Sequence, residues 1–507
     1  MGIRVRYAPS PTGLQHIGGI RTALFNWLFA RSTGGEFILR LEDTDRARYD
    51  PAFERNLYDT FSWLGIHWDE GPDVGGPFAP YVQSQRTELY KKYAAELLEK
   101  GQAYRCFCSP ERLEKVRAER EAEKSRDTGY DRNCRSISIE ESGRRAKAGE
   151  SFTIRLKIPL GENGTGGQDG GAQAITRFND KLLGAIEWKN SDINPDPVLL
   201  KSDGFPTYHL ANIVDDHLMG ITHVLRAQEW LSSTPLHVLL YQAFGWEPPV
   251  FCHLPMVMGQ DGKKLSKRHG AASIDEFRSQ GYLADALVNY TALLGCSYEE
   301  GKDIYSIGEL GELFSLDKLN KAPAVFDYKK LEWFNGQYIR MKSSEELARL
   351  SMPWALELRL FGQSLDEREM NLYMAAMDLI RERASYLPDF PSKLGYLFSD
   401  PPIPPAEEFV PKKSDQKTAY ALLCMGKEMI SAFFPGGNAV SGEEMENIVK
   451  GKAEKENVKL GDLLMPLRVA ITGSRVSPPL FGSIGLLGEA RCLSRIDNAL
   501  KILGQGL

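Results

Sequence analysis

Two segments of this chain carry residue types suited to phosphate and carboxylate chemistry. The first is Arg6-Tyr7-Ala8-Pro9-Ser10-Pro11-Thr12-Gly13-Leu14-Gln15-His16-Ile17-Gly18-Gly19, where a histidine stands before two glycines. Backbone N–H groups at a helix N-terminus attract anions, and glycine lets a phosphate approach closely. Neither G-x-x-x-x-G-K-[ST] nor G-x-G-x-x-G occurs in it, so this is not one of the common nucleotide loops. The second segment, Gly262-Lys263-Lys264-Leu265-Ser266-Lys267-Arg268-His269-Gly270, packs four cations between glycines. When ATP reacts at its α-phosphorus, negative charge grows there and on the departing pyrophosphate. Lysines on a closing loop stabilise that charge when it forms. Taken singly, the first segment also fits a plain βα turn with a histidine cap, and the second a solvated basic loop. Their joint presence favours the catalytic reading.

A carboxylate-bearing substrate needs fixed cations, and arginine offers a bidentate match. Arg6 leaves the first strand beside the cradle, and Arg226 ends the strand-like run Thr222–Leu225. Glu42 ends the second strand and could take a substrate ammonium. Tyr208 and Asn212 are four apart and share a face if Thr207–Val214 is helical. Any one of these, taken alone, is better read as a structural ion-pair or hydrogen-bond residue, but together they cluster at strand ends and βα connections. Glu229 and Trp230 could meet ATP adenine or ribose. Asp215-Asp216-His217 resembles a metal cluster but lacks ligand spacing around it, and is read as structural. Cys106, Cys108 and Cys134 supply three thiols. Structural zinc takes four N/S ligands, so the ligand count argues against a bound metal and no metal site is assigned.

The elements that must hold these groups follow from periodicity. Ile3, Val5 and Tyr7 alternate with Arg4 and Arg6, and an amphipathic run follows from Ile17 to about Arg31, which reads as strand, turn, helix. Glu36–Leu41 reads as a second, buried strand. Helices are expected from about Pro51 to Leu64 and from about Ser84 to Lys100, the latter stopped by Gly101. Residues 102–206 change character: a densely charged helix from Pro110 to about Arg126, strand-like runs Phe152–Ile158 and Gly184–Trp188, and a glycine-rich stretch, 161–171, read as a hairpin tip. The α/β style resumes at Phe205 and runs through His223–Arg226 and Phe251–Val257. Residues 270 to about 340 look helical, and beyond 341 helix follows helix, broken at Ser399–Pro405 and Phe434–Gly437.

At 507 residues several domains are expected, and 42% hydrophobic with 26% charged content is that of a soluble globular chain. No apolar run is long enough to span a membrane. The strand-like pattern from Ile3 leaves no room for a signal peptide, and seven sparse cysteines suit a reducing cytoplasm. A net charge of −6 argues against indiscriminate polyanion binding but leaves room for a local basic patch.

The pairing of HIGG with KLSKR resembles the two signatures of class I aminoacyl-tRNA synthetases. The fuller set is most similar to the bacterial-type glutamyl-tRNA synthetase family: RYAPSPTGLQHIGGIRTALFNWLFAR, LRLEDTD, FPTYHLANIVDDHLMGITHVLRAQEWL, KKLSKRHG, LEWFNGQYIR at 331–340 and LRVAITGSRVSPPLFGSIGLLG at 467–488. The resemblance implies a multidomain α/β plus all-α chain. A Rossmann-type parallel sheet (1–101 and 207–262) would be split by an α+β acceptor-arm insertion (102–206). The KLSKR loop and stem-contact region (263–340) and a helical anticodon-binding half (341–507) would follow. It further implies that L-glutamate, ATP with Mg2+ and tRNA(Glu) are the substrates, that a glutamyl-adenylate precedes transfer to the 3′-terminal adenosine, and that a cytoplasmic monomer does the work without a membrane.

Residues matching the family's glutamate pocket are Arg6, Ala8, Ser10, Glu42, Tyr208, Asn212 and Arg226. Those matching its ATP contacts are His16, Gly18, Glu229, Lys264 and Lys267, with His16 and Lys267 catalytic. Which arginine takes which carboxylate is open at this point. In the family a fourth metal ligand often stands two residues past the third cysteine, where this chain has Ser136. Two rivals are a non-catalytic tRNA-binding paralogue and an enzyme glutamylating a modified tRNA base. The first should have lost the histidine or the lysines, and the second usually lacks the anticodon half.

Overall fold

The computed structural model describes residues 2–45, 47–123, 129–161, 174–266, 273–361 and 366–505. The chain forms two compact units, one of Met1–Phe277 with Leu287–Asp327, the other of Arg278–Ala286 with Tyr328–Leu507.

The first unit is built on parallel strands. Arg4–Tyr7 pairs in parallel with Glu36–Leu39, with Arg6 opposite Ile38. On its other side, the Arg4 amide donates to Thr222 Oγ1 and the Thr222 amide to the Arg4 carbonyl, both at 2.9 Å. That seats the strand His223–Ala227 alongside. His223–Ala227 runs parallel to Val250–Leu254, with Arg226 opposite His253. Val250–Leu254 in turn meets the hairpin Ile175–Asp180/Gly184–Lys189 in parallel at Asp180–Phe251. Parallel strands need long crossovers, and the helices Ile17–Thr33, Tyr208–Leu218 and Thr234–Phe244 lie in the stretches between these strands. The chain leaves the first strand toward Glu36–Leu39 and later returns on its opposite side at His223–Ala227. The crevice beyond the carboxyl ends of these two strands is therefore a topological switch point, where open α/β sheets bind ligands.

The expected elements are formed. The helix Ile17–Thr33 begins at His16, whose ring accepts from the Gly19 amide, and stops at Gly34 in the left-handed conformation. Its long apolar run (Ile17, Ile20, Leu24, Phe25, Leu28) is buried on nearly all sides. Pro51–Leu64 starts on the Asp50 cap with proline in its first turn. The helix expected at 84–100 is Thr87–Glu99, entered through a short 3-10 turn. In the insertion, Ala103–Cys106 and Val198–Leu200 flank Thr153–Leu156 in an antiparallel sheet, and the helix Pro110–Ala122 buries none of its residues. The glycine-rich stretch lies almost wholly outside the described residues. Arg226 sits inside its strand rather than at its end, because Ala227 still pairs with Leu254. The segment 270–340 is not purely helical. Ala324–Val325 pairs with Val257–Met258 in the first unit, and hydrogen bonding to a neighbouring strand fixes it where local propensity does not.

The second unit is all helix around its own apolar core of Leu423, Ile430, Phe433, Leu463, Leu467, Ile484 and Ile496. Ser343/Glu346, Asp366/Glu369 and Ser441/Glu444 form reciprocal capping boxes. Arg475 donates to the carbonyls of Glu407, Glu408 and Val410, and Arg491 to Asp400 and the Leu397 carbonyl, so both tie loops to helices.

Candidate active site

A cleft of about 1730 Å³ opens at the switch point. Arg6, Ala8, Ser10, His16, Gly18, Glu42, Tyr208, Asn212, Arg226, Glu229 and Lys264 all line it. Of the residues singled out from sequence, Lys267 lies outside the described residues. The loop that carries it is anchored on both sides of that gap. Lys264 bridges to Met258 on one side, and Ser273 bridges to His16 on the other, where the Ile274 amide also donates to the Gln15 carbonyl. The two segments from opposite ends of the α/β region therefore converge on one cavity.

At the start of the helix Ile17–Thr33, His16 Nδ1 accepts from the Gly19 amide at 3.2 Å. That bond leaves the neutral ring's proton on Nε2, a donor available to an anion in the cleft. Desolvation, reinforced by the Lys264 ammonium and opposed by Glu229, holds the ring's pKa below the ordinary histidine range. Gly19 cannot be replaced without cost, because a Cβ there would stand 2.9 Å from the Tyr7 hydroxyl. Lys264 Nζ and Glu229 Oε2 meet at 2.5 Å, both partly exposed. Trp230 is 40% exposed and tilts over Tyr208 with ring centroids 4.7 Å apart, so it belongs to the cleft wall and not to the core.

Arg6 and Glu42, also in the cleft wall, belong to a buried charge network. Arg6 Nε donates to Asp216 Oδ1 at 3.0 Å. Arg40, fully buried, donates to Asp216 Oδ1 at 2.7 Å and to Glu42 Oε1 at 3.0 Å. Asp215 takes Arg86 Nε at 2.7 Å, the Tyr90 hydroxyl at 2.8 Å and Gln83 Nε2 at 3.0 Å. The Asp215-Asp216 pair is thus structural, as read from sequence, and counters the arginines. Tyr208 and Asn212 both lie on the helix Tyr208–Leu218, and Asn212 Nδ2 donates to Glu42 Oε1 at 3.3 Å. Burial pushes the Glu42 carboxyl up, with Arg40, Arg6 and Asn212 opposing.

Arg226 differs from Arg6 and Arg40. It is 5% exposed and makes four hydrogen bonds: Nε to His253 Nε2 at 3.1 Å, Nη1 to the Tyr208 hydroxyl at 3.3 Å and to His237 Nδ1 at 3.2 Å, and Nη2 to Thr234 Oγ1 at 2.7 Å. None of these partners is a carboxylate. Burial lowers the pKa of all three histidines nearby, His209 to about 4, and Arg226 pushes each further down, so they stay neutral. In the network of Arg6, Arg40 and Arg86 with Glu42, Asp215 and Asp216, every guanidinium meets a carboxylate. Arg226 meets none directly; the nearest, Asp180, stands behind His253.

The neutral histidines also set a pH response. Their pKa values fold below the unfolded value of about 6.5, so the unfolded chain takes up protons that the folded chain refuses. The stability they contribute is complete above about pH 6.5 and drains away as pH falls toward the folded values. Glu42, raised by burial, works in the opposite direction. Thermal melts should therefore show the first unit losing on the order of 5 °C between pH 7.5 and pH 5; a flat profile over that window would mean that these rings take up protons as readily in the folded chain as in the unfolded one.

Cys106, Cys108 and Cys134 bring their sulfurs within 4.8 Å of one another. Sequence reading missed Tyr130, whose hydroxyl lies 3.2 Å from Cys106 Sγ and 3.8 Å from Cys108 Sγ, and accepts from the Cys134 amide. The cluster holds three of the four N/S donors of a structural zinc site, with a phenol beside them. Arg40, Asp180, His237 and His253 were also missed: they lie within apolar or regular runs, where one polar letter gives no periodic signal.

Comparison with known proteins accords with this geometry. Residues 2–333 match the family described as tRNA synthetases class I (E and Q), catalytic domain, and residues 346–500 match an anticodon binding domain. A glutamate–tRNA ligase of Treponema denticola is 53% identical over 99% of both chains, and one of Borreliella burgdorferi 49% identical over 99% of both. The crystal structure of a glutamate tRNA ligase from Elizabethkingia meningosepticum in complex with its amino acid superposes with a TM-score of 0.84 at 34% identity, covering 99% of this chain and 100% of that one.

Proposed function

The chain belongs to the class I tRNA synthetases of the glutamate and glutamine branch and is a glutamate–tRNA ligase, and we propose that its cleft divides the work between a charge-selecting end around Arg226 and a phosphate end around His16 and the lysine loop.

The observation that carries this reading is Arg226, a buried guanidinium in the cleft wall whose four hydrogen-bond partners are all neutral. Glutamate brings two carboxylates and one ammonium, and one of those carboxylates supplies the anion that Arg226 lacks. Arg226 takes a substrate carboxylate and is the cation that makes the site prefer a dicarboxylate. Arg6, already paired with Asp216, orients and shapes the pocket with Ala8 and Ser10. Glu42 receives the ammonium, and Tyr208 and Asn212 complete the wall. Glutamine, with a neutral amide, would leave the charge buried and unpaired, a penalty that discriminates strongly.

ATP enters as its Mg2+ complex with its phosphates toward the His16 end. His16 Nε2–H and the amides at Gly18 and Gly19 hold phosphate oxygens. Glu229 lies where it can meet the ribose, and Lys264 and Lys267 close over the triphosphate. The glutamate α-carboxylate oxygen attacks the α-phosphorus, the bond to the β-phosphate oxygen breaks, and pyrophosphate leaves. No protein nucleophile is required, because the attacking oxygen is already anionic. The 3′-terminal adenosine of tRNA(Glu) then attacks the mixed anhydride and AMP departs. In this reading residues 102–206 receive the acceptor arm, and the helical half from 341 onward reads the anticodon.

The test is charging of purified tRNA(Glu) and tRNA(Gln), side by side, with labelled glutamate. Transfer to tRNA(Glu) is expected, and the tRNA(Gln) arm reports whether the second tRNA is also a substrate. Glutamate charged to neither tRNA would overturn the reading.

A further inference from the structure

Behind Arg226 stands a carboxylate that never reaches the cleft. Asp180 ends the strand Ile175–Asp180 of the insertion hairpin and is 1% exposed. Its Oδ1 accepts from the amides of Leu182 and Leu183, at 3.0 and 2.9 Å. Its Oδ2 accepts from the His253 amide at 3.1 Å and faces His253 Nδ1 at 2.6 Å. A carboxylate whose every other neighbour is a donor offers His253 Nδ1 only an acceptor. The proton of the neutral imidazole must therefore sit on Nδ1, and its lone pair on Nε2. That lone pair faces two groups able to donate, Arg226 Nε at 3.1 Å and the Thr234 hydroxyl at 3.0 Å.

We infer that Asp180, acting through the tautomer it imposes on His253, is a positioning residue for glutamate binding: it gives Arg226 a neutral acceptor at Nε and so aims the guanidinium into the cleft without cancelling its charge. An aspartate placed directly on Arg226 would orient it equally well but would neutralise the very charge that selects the substrate. Interposing a neutral ring separates orientation from charge compensation. The opposite tautomer would put N–H against N–H and turn the guanidinium away. Asp180 sits where the hairpin Ile175–Asp180/Gly184–Lys189 joins the sheet beside Val250–Leu254, so the geometry around Arg226 depends on that hairpin.

This inference rests on the reading that Arg226 binds a substrate carboxylate, so the experiment carries Arg226→Ala as its reference. Aminoacylation kinetics are measured for Asp180→Asn and His253→Phe with glutamate and ATP varied separately. An amide at 180 can present its NH2 toward His253 and favour the wrong tautomer; phenylalanine keeps the ring's bulk but removes the acceptor. Both should raise the glutamate KM by about tenfold or more, the range seen when a supporting partner of a site residue is removed. The ATP KM should stay within about twofold, and kcat within a few-fold, since the phosphate end is untouched. A general loss of folding would instead lower active-site concentration with both KM values unchanged. Because Asp180 also holds three backbone amides, Asp180→Asn may be tested only where its melting curve stays cooperative, and His253→Phe leaves those bonds in place. Long-range 1H–15N correlation of histidine-labelled enzyme supplies a readout independent of activity: His253 should show a protonated Nδ1 and a bare Nε2. If Arg226→Ala raises the glutamate KM but His253→Phe does not, or if His253 carries its proton on Nε2, the positioning role is wrong while the pocket assignment stands. If Arg226→Ala itself leaves the glutamate KM unchanged, the pocket assignment has failed first.

Discussion

Arg226→Ala should lower kcat/KM for glutamate by about 100-fold or more, the cost of removing one partner from a buried charge pair, while the ATP KM changes by less than about threefold. The asymmetry follows from where the residue sits. Its guanidinium lines the cleft, and none of its four hydrogen-bond partners is His16, Gly18, Glu229 or Lys264. The same variant should cost little stability. In the free enzyme Arg226 is a buried cation hydrogen-bonded only to neutral groups, so its removal strands no carboxylate; it leaves His253, Tyr208, His237 and Thr234 short of one donor each. Steady-state kinetics with each substrate varied, paired with a melting curve, checks both halves. A matched rise in both KM values, or a collapse of the fold, would contradict the assignment.

Arg40→Met should do the reverse. Arg40 is 0% exposed and is shared by Asp216 and Glu42, with Asp215 also within 3.8 Å. Removing it leaves buried carboxylates without their common counter-ion, which costs about 3–5 kcal/mol. For a unit of this size that corresponds to a fall on the order of 10 °C in its melting temperature. Glu42 and Asp216 would also lose the cation that fixes them beside Asn212 and Arg6, so whatever enzyme stays folded should bind glutamate poorly. Calorimetry, with the transitions of the two units followed separately, gives the answer. An unshifted first-unit transition would show that the network does not depend on Arg40.

Much of this was legible in the sequence because function and fold share the same letters there. His16 and the glycines after it had to cap a helix whichever chemistry they served, and Tyr208 and Asn212 declared a common face by their spacing of four. Arg226 was found as a cation near a strand end, but sequence could not tell it from Arg6. The distinction lies in partners 210 residues away in one case and in neutral rings from two other elements in the other. Arg40 lay hidden inside LRLEDTD, where the acidic letters drew attention and the arginine read as an alternating strand residue. Asp180 and His253 are invisible to any local pattern, because what matters is a register match between a hairpin strand and a parallel strand some seventy residues on, with Asp180 paired to Phe251. Tyr130 was missed for a related reason: four residues before Cys134, it enters the thiol cluster by its hydroxyl, and a search for N/S ligands does not count a phenol.

The claim that the carboxylate-free guanidinium of Arg226 selects the substrate is tested most directly by competition between glutamate and its neutral amide. With tRNA(Glu) and ATP saturating, wild-type enzyme charges labelled glutamate in the presence of increasing glutamine. Glutamine should neither be charged nor inhibit until it exceeds glutamate by about 1000-fold or more, as expected where the wrong ligand leaves a buried polar group unpaired. Inhibition by glutamine within about tenfold of the glutamate KM would mean that the pocket does not read charge, and the role given to Arg226 would be wrong.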